Sequence, residues 1–95
     1  MFAAHQRTLA RAGYGPHSLA VCGYTMGACY PPTWMDFPMI QEGDPQVLEP
    51  AMVFFTHMIL LNSDTGLAMS LGETAIVHDG PCEPISHAPR ELIVN

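Results

Sequence analysis

Between Pro50 and the turn cluster Asn62-Ser63-Asp64-Thr65-Gly66 runs an almost wholly apolar segment, Ala51 to Leu61, and it dictates most of the fold. Its β-branched and aromatic content and its bounding turn residues predict a strand. Beyond the cluster, Leu67–Leu71 and Thr74–His78 read as two shorter strands, Asp79-Gly80-Pro81 as a turn, and Ile85 as the start of one more short strand, with Arg90 to Val94 closing the chain. Upstream, Phe2–Ala12 is built of good helix formers; Gly13 stands at its C-terminal cap, and Gly15-Pro16 stops it. Ser18–Cys22 reads as a short strand, and Gly23 and Gly27 bracket a segment where the backbone can approach its neighbours closely. From Tyr30 to Pro50 five prolines remove donors and fix φ, so a loop is expected there, though an apolar one that must pack over something. One helix followed by strands joined by hairpin-length turns implies an α+β fold with an antiparallel sheet.

At 95 residues the chain can form one domain at most. A domain of that size hides only roughly 60–65% of its unfolded surface. Hydrophobic residues make up 48% and charged residues 13%, too apolar for a disordered chain and for a well-wetted small monomer. Another chain, or a further part of this one, is therefore expected to cover some apolar surface. The net charge of -6 and the three basic residues, Arg7, Arg11 and Arg90, exclude a nucleic-acid partner, and they disfavour an anionic membrane surface. The longest uninterrupted apolar stretch, Ala51 to Phe55, is far short of the roughly 20 residues that span a bilayer. No apolar segment follows a basic N-terminus, so a cytoplasmic protein is expected, with Cys22, Cys29 and Cys82 as reduced thiols.

Several landmarks then fall in a recognisable order. The helix ends in Ala12-Gly13-Tyr14-Gly15, and Gly23-Tyr24-Thr25-Met26-Gly27 resembles a Gly-His-x-x-Gly signature. Tyr30-Pro31-Pro32-Thr33-Trp34 follows, then Val47-Leu48-Glu49-Pro50-Ala51-Met52-Val53-Phe54, Gly72-Glu73-Thr74-Ala75-Ile76-Val77 and Pro89-Arg90-Glu91-Leu92. Over nearly the whole chain this order resembles the C-terminal half of the pita-bread hydrolases, the family of Xaa-Pro dipeptidases, creatinases and methionine aminopeptidases. The resemblance implies a partial catalytic domain over residues 1–95, a first half supplied elsewhere, and a curved antiparallel sheet behind the helix. A chain that begins inside an apolar helix fits the expectation of a fragment.

The family's metallopeptidases hold two divalent metals with two Asp, one His and two Glu. The resemblance puts the His at Tyr24, the first Glu at about His57 and the second at Gly72, with Glu73 beside it. A phenol and a glycine do not replace an imidazole and a carboxylate, so no metal and no other cofactor is expected. Tyrosine at the His position, followed by the Pro-Pro-x-Trp segment, resembles the non-peptidase, ectoine-hydrolase-like and creatinase-like branch. That branch implies hydrolysis of C–N bonds in small amide or amidino compounds. Thr33, Met35-Asp36 and Ala51 depart from its usual Asp, Gly-Glu and Gly.

Four candidates follow. His57 is a general base or substrate hydrogen-bond partner, or else a strand histidine facing solvent. Glu73 is a carboxylate that orients water, or a hairpin-end charge. Tyr24 supplies a hydroxyl to substrate, or packs between glycines. Trp34 offers a flat wall for a small cationic or cyclic ligand, or anchors its loop. His5, His17, His78 and His87 have no ligand spacing, and the methionines read as core and interface filler. The expectation is a hydrolase fragment inactive by itself, or alternatively a non-catalytic module pairing with itself or a partner chain. In either case an apolar face and a free sheet edge predict a homo-oligomer or a complementary N-terminal-half chain.

Overall fold

The computed structural model describes residues 1–26 and 32–94. The expected contributions of Gly27, Cys29, Tyr30 and Pro31 lie outside the described residues. Helix α1 (Phe2–Arg11) is followed by a single 3-10 turn at Gly15–His17 and by strands β1 (Val21–Thr25), β2 (Asp36–Gln41), β3 (Val53–Asn62), β4 (Leu67–Ile76) and β5 (Glu83–Pro84). The strands form an open five-stranded sheet in the order β2-β1-β3-β4-β5, with every described pairing antiparallel. The fold is thus α+β, as the order of helix and strands implied.

The helix ends where Gly13 requires it to. Gly13 adopts φ 83°, its N–H donates to Ala10 O at 3.1 Å, and the Tyr14 N–H reaches Leu9 O at 2.8 Å. This pair of bonds satisfies two of the carbonyls that a helix C-terminus leaves orphaned. The β3–β4 turn is equally local in origin: Asn62 Oδ1 accepts the N–H groups of Asp64 and Thr65, both at 3.1 Å, and Gly66 takes φ 69°.

Four expectations need correction. The first strand is Val21–Thr25 rather than Ser18–Cys22; the 3-10 turn consumes the preceding residues, and Ser18 makes only an isolated bridge to Leu60. The proline-rich stretch contains a strand after all. β2 is an edge strand, and Phe37 and Pro38 fall in a bulge between the Tyr24↔Met39 and Thr25↔Asp36 pairs, so the missing Pro38 N–H interrupts no ladder bond. The two strands expected at Leu67–Leu71 and Thr74–His78 are one, β4, which ends at Ile76, because Gly72 pairs with His57 without breaking the ladder. The last strand ends at Pro84, and Ile85 adds only its N–H, donated to Thr74 O at 2.8 Å.

Core packing lies on the α1 side of the sheet. Cys22, Ile40, Phe54 and Val77 are buried, with Phe2 of α1 and Leu48 and Met52 of the proline-rich segment packed against them. The apolar loop therefore does cover something. At its end Ala51 holds φ 71°, where it exchanges hydrogen bonds with the chain near Val77: Ala51 N–H to Val77 O, and Val77 N–H to Met52 O, each 2.9 Å. A Cβ in that region costs about 1–2 kcal/mol. Much apolar surface stays exposed, including Leu61, Leu67, Met69 and Leu71 on the β3–β4 hairpin. Among the described residues no helix is long and apolar enough to cross a membrane.

Candidate functional site

Opposite α1, the sheet carries a connected group of side chains. Residues alternate faces along a strand, so Thr56 and Met58 of β3 look toward α1 and His5, whereas Phe55, His57 and Ile59 look away. Cross-strand pairing of Tyr24 with Phe55 brings the β1 tyrosine onto the second face. There the Tyr24 hydroxyl lies 3.2 Å from His57 Nδ1 and accepts a hydrogen bond from Trp34 Nε1–H at 3.1 Å. Tyr24 is only 4% exposed, so its hydroxyl depends on these two partners rather than on water. Phe55 packs against both rings, its centroid 5.6 Å from Tyr24 and 5.3 Å from His57.

Gly72 makes this arrangement possible. It is the cross-strand neighbour of His57, and a Cβ on it would collide with the Phe55 ring. The position that the resemblance assigns to a metal-binding glutamate is thus occupied by an aromatic ring lying over bare backbone. Tyr24, Trp34 and His57 edge a groove of about 320 Å³ whose remaining wall includes Val21, Met39 and Ile59. Trp34 is half exposed, its N–H tied inward while the rest of the indole borders the groove.

Three of the four candidate residues are therefore together, and the fourth is elsewhere. Glu73 pairs with Thr56, on the face opposite His57. Its Oε1 accepts the Ser86 N–H at 3.0 Å and its Oε2 the Arg90 Nη2 donor at 3.1 Å, so it ties down the segment after β5. The Ser86 N–H is the main cause that holds the Glu73 carboxyl below its ordinary range; desolvation opposes it, and Arg90 adds to the lowering. A carboxyl whose pKa falls on folding stabilises the fold above its unfolded value, and that contribution is lost as pH drops through the lowered folded value. Glu73→Gln is accordingly expected to speed tryptic cleavage at Arg90–Glu91 at neutral pH. In the parent chain the Ser86 amide resonance should move with a midpoint below that of an exposed glutamate. Unchanged cleavage together with an ordinary midpoint would show that the tether carries nothing.

Sequence reasoning missed Phe55, which period-2 spacing from His57 could have shown, and Arg90 as the partner of Glu73. Elsewhere, His78 Nε2 meets Glu83 Oε2 at 3.0 Å across the last turn. Burial lowers the pKa of His5 and raises that of the Cys22 thiol, and Cys22 and Cys82 are free. The donor set does not fit a dinuclear metal centre. Tyr24 is engaged by two side chains, Gly72 has none to offer, and among the described residues no three His, Cys, Asp or Glu groups converge.

Over 76 residues, 79% of the chain, it is 36% identical to the ectoine hydrolase of Halomonas elongata. Over 73 residues, 76% of the chain, it is 34% identical to an uncharacterized hydrolase/peptidase of Sinorhizobium fredii. Both relatives are hydrolases by name. The chain spans only 18% of the length of each. No protein-family model matches the chain, and no solved structure matches it significantly. Similarity thus reaches part of a hydrolase.

Proposed function

We propose that this chain is the C-terminal piece of a pita-bread C–N hydrolase of the ectoine-hydrolase-like branch, and that Tyr24, Trp34 and His57 form its share of the substrate site. The observation that carries the reading is the hydrogen-bonded set Trp34–Tyr24–His57, drawn from three separate chain segments to one groove, with Tyr24 and His57 at positions the resemblance assigns to function. In this reading His57 contacts the reacting amide or amidine as base or hydrogen-bond partner, Tyr24 orients His57, and Trp34 walls the groove. Glu73 holds the segment after β5 and does not touch substrate. The similarity to an ectoine hydrolase supports a small amide or amidino compound as the substrate.

The test is a chimera in which this chain replaces the matched segment of the Halomonas elongata relative. Ectoine hydrolysis is expected from the chimera, with a loss of roughly 100-fold or more on His57→Ala, and none from the chain alone. A folded chimera without activity, or one indifferent to His57→Ala, would refute the reading.

A further inference from the structure

We infer that Trp34 is a positioning residue that fixes the tautomer of His57 through Tyr24, so that His57 offers an Nε2–H donor. The inference rests on the site proposed above and extends it to one residue's role.

The indole Nε1–H can only donate, and it donates to the Tyr24 oxygen at 3.1 Å. Tyr24 is buried, so its own hydroxyl hydrogen needs an acceptor, and His57 Nδ1 at 3.2 Å is its other partner. A neutral imidazole accepts at Nδ1 only when its hydrogen sits on Nε2. The three groups therefore form a one-way chain, Trp34 to Tyr24 to His57, whose far end is an Nε2–H donor without an acceptor among the described residues. Were Nδ1 to carry the hydrogen, the Tyr24 hydroxyl would receive two donors and its own hydrogen would be stranded in an apolar site.

Long-range 15N–1H spectra of the histidines in the intact chain test the assignment. His57 is expected as the Nε2–H tautomer, and Trp34→Phe and Tyr24→Phe should each turn it into a mixture. A His57 in the Nδ1–H form, or one unaltered by Trp34→Phe, overturns the assignment. The parent spectrum decides the matter even if a variant loses its fold. These measurements involve no hydrolysis, so an inactive chimera leaves them standing, and their failure leaves the chimera's activity to be judged separately.

Discussion

Phe54→Ala is expected to remove the cooperative unfolding transition of the chain, or to lower its Tm by at least about 12 °C. Phe54 is the most buried side chain described, 2% exposed, and it packs with Cys22 of β1, Ile40 of β2 and Val77 beyond β4. Phe2, Leu48 and Met52 close over the same cluster, so one ring joins helix, sheet and the proline-rich segment. Truncating a buried phenylalanine costs about 3–5 kcal/mol, since the lost burial is compounded by the cavity left behind. Total stability for a chain of this length is on the order of 5–14 kcal/mol, and so small a core argues for the lower end. The two figures overlap, which is why loss of the fold is the expected outcome. Thermal denaturation followed by circular dichroism checks it; a Tm within two or three degrees of the parent, on the order of 0.5 kcal/mol, would mean that the cluster is not the core.

Gly23→Ala should cost about 1–3 kcal/mol although it adds a single methyl group. The new Cβ would lie 2.8 Å from Ile40 Cδ1, 3.0 Å from the Phe55 carbonyl oxygen and 3.3 Å from Thr56 Cα. Ile40 could rotate, but the other two atoms are backbone of β3, to which Gly23 is paired. Relief requires β1 and β3 to separate, and Tyr24 is the next residue along. The variant is therefore also expected to loosen the Tyr24–His57 contact, visible as a shift of the His57 ring resonances. Gly80→Ala is the matched control, since nothing lies within 4 Å of its added Cβ, and it should change stability by no more than about 0.5 kcal/mol. Equal effects of the two substitutions would refute the close approach of β1 to β3.

The contrast between these glycines shows what the sequence makes legible. Gly13 and the Asn62–Gly66 turn act through their own backbone within a few residues, so the helix end and the β3–β4 hairpin could be read directly. Gly23 and Gly72 act on residues more than a dozen positions away, and only the fold reveals what they make room for. The proline-rich stretch misled for a related reason. Proline excludes a central strand, but β2 has an edge and a bulge to accommodate Pro38, and neither is visible before the strand order is known. For the site, the residue types at 24, 34 and 57 were readable, whereas their hydrogen-bonded order was not. Glu73 was grouped with them by nearness to Gly72 in sequence. Strand alternation separates the two, because neighbours along β4 point to opposite faces.

Both outermost strands of the sheet contain a proline: Pro38 in β2, within its bulge, and Pro84 in β5, which has only two residues. An edge so built gives an incoming strand few consecutive donors to pair with. Lengthwise growth of the sheet by recruitment of further chains, the route to fibrils, is thereby obstructed at each end. Apolar side chains are exposed instead on the broad faces, among them Leu61, Leu67, Met69 and Leu71. Side-chain fit rather than backbone pairing would decide which partner is accepted there.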